Sequence, residues 1–197
     1  STRKESSAAS DVYKRQNLTT MSRDAVTAAS RHALAHGNPS VEPSHLLHAL
    51  FTIPDNTVGP LVSRLGVDPS GVDLAAITAM RRLPSSSGAS VSQPQLSGAF
   101  ARVIADAQNR AEQMGDSFVA TEHLLISLTA VPSDVQPALA SLGLKPDSLA
   151  RAFNESRGDR RVTSEESEGG ESALAKYSVD LTERARAGKL DPVIGRD

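Results

Sequence analysis

The sequence predicts an all-α domain made by duplicating a four-helix unit, about eight short helices, followed by a linker and a further C-terminal helix. Apolar residues recur at helical spacing over most of residues 22–156. That pattern then repeats with its glycines and prolines in register. The chain of 197 residues has six aromatics and no cysteine, so its core must be assembled from Ala, Leu, Val and Ile.

Residues 1–16, STRKESSAASDVYKRQ, lack an apolar period and read as a disordered tail on composition. The stretch DVYKRQ resembles the in-frame translation of a sequencing adapter, so this segment is read as a sequencing or gene-calling scar. From Ser22, Ala25, Ala28, Ala29, Ala33 and Leu34 mark a helix that stops at Gly37–Asn38–Pro39. Pro43 opens a second helix, SHLLHALF, and Asp68–Pro69–Ser70 starts another that carries Val72, Ala76, Ala79 and Met80. Pro84–Gly98 holds six serines, two prolines and two glycines and reads as a flexible connection.

Beyond it the text recurs. Val26, Ala29, Ala33, Gly37, Val41, His45, Leu46, Leu47 and Leu50 return 78 residues later as Ile104, Ala107, Ala111, Gly115, Val119, His123, Leu124, Leu125 and Leu128. A one-residue deletion near Pro54/Pro132 then shortens the offset to 77. Val58, Pro60, Leu65, Gly66, Val67, Pro69 and Val72 match Val135, Pro137, Leu142, Gly143, Leu144, Pro146 and Leu149. Two copies are too few for a solenoid array and predict one pseudo-twofold domain over 17–156. Its first repeat covers about 17–83 and its second about 98–156. Residues 157–171, RGDRRVTSEESEGGE, read as a flexible linker, spanning ~20 Å root-mean-square as a coil. Residues 172–188 can form an amphipathic helix with Leu174, Tyr177 and Leu181 on one face, and the chain ends at GKLDPVIGRD as though cut.

With 21 basic and 23 acidic residues, the chain lacks the basic excess of a nucleic-acid binder. No apolar run approaches a membrane span and no signal-peptide core is visible, which together predict a cytoplasmic protein with no membrane partner. The missing cysteines exclude disulfides, thiolate metal sites and a cysteine nucleophile. His32 and His36, and His45 and His48, have spacings that can share a helix face. Neither HExxH nor a third convergent ligand accompanies them, so no metal site is predicted. Because His45 recurs as His123, it reads as a packing and hydrogen-bonding residue at a helix start. No GxSxG, SxxK, GxxxxGK[ST] or GxGxxG motif is present, so no catalytic residue is assigned. Asp116 and Glu122 flank a turn and the following helix start, where a carboxylate can also act as a cap.

The duplicated unit with VEPSHLLHAL and VATEHLLISL resembles the repeat of the Clp N-terminal domain. The closing run ALAKYSVDLTERARAGKLDPVIGRD is similar to the opening of the first AAA+ ATPase module in the ClpB disaggregases, so residues 172–197 are read as its truncated beginning. The resemblance covers Asn17 to Asp197 and favours the ClpB type over the ClpA and ClpC unfoldases, whose N-domains bind adaptors and feed a protease. It implies a homohexamer that uses ATP and magnesium to extract unfolded or aggregated polypeptides together with a DnaK-type chaperone. The ATPase motifs and the coiled-coil middle domain would lie past Asp197, so this stretch of chain is not expected to be an enzyme or to hold a cofactor. Val193 and Ile194 correspond to the edge of the adenine pocket in a full-length protein. For substrate binding, the resemblance points to the groove between the repeats. Thr19, Asp116 and Glu122 supply its polar positions, and Val103 and Ile104 its apolar lining. Asp106, Arg110 and His123 stand where some members carry leucine, which thins that lining.

Overall fold

The computed structural model describes residues 17–85 and 93–166. The expectations for residues 1–16, for the helix over 172–188, and for Val193 and Ile194 lie outside the described residues. In chain order the described elements are α1 (Thr20–Ala35), β1 (Ser40–Val41), α2 (Pro43–Thr52), α3 (Val58–Arg64) and α4 (Pro69–Arg81). They continue with β2 (Gln95–Leu96), α5 (Gly98–Gln113), α6 (Thr121–Ala130), α7 (Gln136–Ser141) and α8 (Pro146–Arg157). The fold is the predicted duplicated all-α architecture, with helices recurring in pairs: α1 with α5, α2 with α6, α3 with α7, and α4 with α8.

Local chemistry sets the helix ends. The Thr19 hydroxyl accepts from Ser22 N at 3.1 Å to start α1, and the equivalent Ser97 accepts from Phe100 N at 3.0 Å to start α5. Asp68 accepts from Ser70 N at 3.0 Å and Pro69 follows in the first turn of α4. Gly37 and Gly115, at φ 68° and 80°, release α1 and α5 through the left-handed region that a side chain disfavours.

Within each repeat the second helix is the hub: α2 packs on α1 and α4, and α6 on α5 and α8. The two hubs also meet, so α2 and α6 form the centre of the molecule. Nine of the ten residues of α6 are buried, the polar Thr121, Glu122, His123, Ser127 and Thr129 among them. Phe100 and Phe153 are the bulkiest apolar side chains of a core otherwise built from small aliphatic residues.

Two features depart from the sequence reading. The Pro84–Gly98 connection is not wholly irregular, because β2 pairs in parallel with β1, Ser40 opposite Gln95 and Val41 opposite Leu96. Leu18 forms the matching parallel bridge with Val119. Leu18 and Leu96 are equivalent positions, as are Val41 and Val119, so the segment leading into each repeat pairs with the other repeat. Nor does a flexible linker begin at residue 157. Arg157 closes α8, and the following residues lie as a strap across the second repeat. Ser117 N donates to Val162 O and Thr20 N to Glu165 O, each at 2.8 Å, while Arg23 pairs with Glu165 at 2.8 Å. Burial of Val162 is the apolar anchor that composition alone did not reveal. Among the described residues no helix is long and apolar enough to cross a membrane.

Candidate functional site

The five residues expected to line a substrate groove all lie inside the domain. Relative exposures are 0% for Thr19, 6% for Asp116, 1% for Glu122, 0% for Val103 and 1% for Ile104. Thr19 caps α1 and, through the Leu18–Val119 bridge, lies beside the turn that carries Asp116. Val103 and Ile104 sit on the inner face of α5, as their spacing with Phe100, Ala107 and Ala111 requires. Glu122 belongs to the buried start of α6, where Thr121 donates to its Oε1 at 3.5 Å and shares a 2.8 Å hydroxyl contact with Thr57 of the first repeat. Outside Val103 and Ile104, α5 presents the Asp106–Arg110 ion pair, 2.7 Å long, at the positions where an apolar lining was expected to thin.

Asp116 organises the second repeat. Its Oδ1 accepts from Arg157 Nη1 at 2.7 Å and from Val162 N at 2.8 Å, and its Oδ2 lies 2.8 Å from His123 Nε2. Burial alone would raise this carboxyl, but the bonds from His123, Arg157 and Val162 outweigh it and hold it lowered to about 2. Arg157 in turn stacks on Phe153, its guanidinium carbon 4.1 Å from the ring centre.

The first repeat carries a neutral version of the same device. His45 Nε2 lies 2.9 Å from Asn38 Oδ1, and Asn38 is the equivalent of Asp116. In both repeats a backbone N–H at the helix start, Glu42 N or Ala120 N, donates to the histidine Nδ1 at 2.9 Å. Each ring therefore accepts at Nδ1 and donates from Nε2, the helix-start bonding role predicted for this pair. Burial, then the neighbouring His32, His36 and His48, lowers His45 to about 4. His48 instead contacts Asp73 at 2.6 Å, with the His32 ring 4.7 Å away.

An open apolar cleft lies elsewhere along the junction of the repeats. It has a volume of about 390 Å³ and runs between α4 and α7, lined by Leu74, Ala75, Thr78, Arg82, Ala138 and Leu142 among others. Each repeat's third helix packs on the other repeat's fourth, so a second such junction exists between α3 and α8. There the buried Leu61 occupies the position equivalent to Ala138. None of Thr19, Asp116, Glu122, Val103 and Ile104, the residues expected to line a groove between the repeats, borders this cleft. The signal for it was present in the alignment of the copies: Leu74, Thr78 and Arg82 become Arg151, Glu155 and Asp159 in the second repeat.

The family model of the Clp repeat (R) N-terminal domain matches residues 17–142. A ClpB chaperone of Propionibacterium freudenreichii subsp. shermanii is 63% identical over 182 residues, covering 92% of this chain and 21% of the relative. The chain thus spans about a fifth of the length of the curated relatives it matches. The solved Hsp104 N-terminal domain of Candida albicans superposes with a TM-score of 0.64 at 21% identity, over 80% of this chain and 99% of that one. A ClpV N-domain solved in complex with a VipB peptide gives a TM-score of 0.57 at 17% identity, over 70% and 85% of the two chains. At such identities both likenesses establish the fold alone. The family model's match lies wholly within the duplicated domain, and the chain belongs to the Clp repeat (R) N-terminal domain family.

Proposed function

We propose that this domain is the client-binding N-terminal module of a ClpB-like, ATP-dependent disaggregase. In this reading it engages exposed apolar segments of unfolded or aggregated polypeptides and is tethered to an ATPase ring. The observation that carries it is the 63% identity to a ClpB chaperone across 92% of the chain. The peptide complex of a ClpV N-domain supports a peptide-holding role for the fold. In the whole protein, ATP and magnesium would be bound by the ATPase modules, six subunits would assemble, and a DnaK-type chaperone would deliver clients in the cytoplasm. Residues 17–156 would form the binding domain, 157–171 the linker and 172–197 the start of the first ATPase module. Val193 and Ile194 would border its adenine site, and residues 1–16 would be foreign to the natural protein. Thr19, Asp116, Glu122, Val103 and Ile104 would act from beneath the surface, by fixing the junction of the repeats rather than by touching the client.

Clients expose apolar stretches of no fixed sequence, so a shallow surface with weak affinity suffices when several copies sit near one pore. Titration of the chain with an unfolded, reduced polypeptide should therefore give saturable but weak binding, read by fluorescence anisotropy. A natively folded control of equal length should not bind. Equal binding of the two would refute the proposal, and recovery of a protease adaptor rather than unfolded protein would favour the ClpA/ClpC-type module.

A further inference from the structure

We propose that the cleft between α4 and α7 receives an extended aliphatic segment of the client that carries a carboxylate at the end nearer Arg82. This rests on the client-binding function above and assigns it a place and a chemical preference.

Three independent features converge there. The first is exposed apolar surface. Leu34, Leu74 and Leu142 are the exposed large hydrophobic residues among those described, and Leu74 at 59% and Leu142 at 37% both line the cleft. Isolated exposed leucines are ordinary, but two facing each other across a concave surface are a site for apolar contact. The volume of about 390 Å³ admits a few side chains and no folded partner.

The second feature is broken symmetry. The duplication supplies two equivalent junctions, and the copy on α8 shows what this surface becomes when it only faces water: Arg151 and Glu155 stand exposed where α4 carries Leu74 and Thr78. The α4/α7 junction thus keeps an apolar lining on its fourth helix where the α3/α8 junction carries charge.

The third feature is charge. Arg82 and Asp134 are the charged members of the lining. Asp134 already accepts from Ser44 N at 3.1 Å and from the Ser44 hydroxyl. Arg82, at the C-terminal end of α4, has a side chain with no hydrogen bond or ion pair among the described residues. An aliphatic stretch ending in Asp, Glu or a free C-terminus would satisfy both the apolar wall and the guanidinium, whereas one ending in lysine would meet like charge.

The test uses three labelled peptides with one aliphatic core and terminal Asp, Ser or Lys pairs, titrated against the whole chain by fluorescence anisotropy. The Asp peptide should bind tightest, about fivefold over the Lys peptide at low salt, and the preference should shrink at high salt. Arg82→Glu should reverse the order. Leu74→Asp should weaken all three peptides by roughly tenfold or more; because Leu74 is exposed, its melting temperature should stay near that of the parent chain. Leu142→Ser provides a second variant on the opposite wall and should also weaken binding. Unfolded client that binds Leu74→Asp as well as the parent chain would overturn the cleft and leave the client-binding function standing. Parent chain that binds neither peptide nor client would overturn both. Equal affinity for all three peptides would overturn the carboxylate preference. Self-association abolished by Leu74→Asp, without peptide binding, would assign the cleft to a second copy and overturn the proposal.

Discussion

Asn38 and Asp116 occupy equivalent places, both facing a histidine, yet only the aspartate gathers an arginine and a strap around itself. The acid is stable inside because its oxygens receive three directed donors, and the same low-dielectric surroundings make it costly to remove. Asp116→Ala leaves Arg157 buried without its counter-charge and should destabilise the domain by about 3–5 kcal/mol in urea titration. Asp116→Asn should cost less, since the first repeat already operates with asparagine. A loss below about 1 kcal/mol for the alanine variant would show that Arg157 finds another partner. At this scale the sequence was informative about residue type and silent about direction. The repetition of His45 as His123 disclosed a helix-start role, and the geometry agrees. The family resemblance placed Thr19, Asp116 and Glu122 in a client-facing groove, whereas all three are buried, and their polarity is tolerated there because each is hydrogen-bonded. Nothing local to those residues distinguishes a satisfied interior acid from an exposed one.

The helices were the most legible elements, since period, cap and stop signals agreed. Asp68–Pro69 and the glycines at the helix exits are local chemistry, independent of tertiary partners. Gly143 follows α7 at φ 86°, and no heavy atom lies near enough to crowd an added methyl. Gly143→Ala should therefore cost about 1–2 kcal/mol from backbone conformation alone, measurable as a lowered denaturation midpoint. Gly143→Asn should recover part of it, and no cost for alanine would mean that the turn relaxes. The strands were illegible for a physical reason: two residues are too few to show a period of two, and their partners are distant in sequence. The strap was missed likewise, because one buried valine among charged residues leaves no pattern.

At the scale of the molecule, duplication was legible, but the manner in which the copies join was not. Each repeat takes a pairing partner for its leading segment from the other, and α2 and α6 bury one another at the centre. A repeat isolated as residues 17–85 would lack a partner for Leu18 and a cover for α2. It should be unfolded as a monomer, or fold only as a dimer that restores the missing half, as circular dichroism and sedimentation would reveal; a cooperatively folded monomer would refute this interlock. The strap has a different consequence. The 2.8 Å bond between Thr20 N and Glu165 O brings the two ends of the described domain side by side. A unit whose two ends meet is a cassette: it can be spliced into a surface loop of an unrelated host, or cut open elsewhere and rejoined at this seam, without stretching either protein.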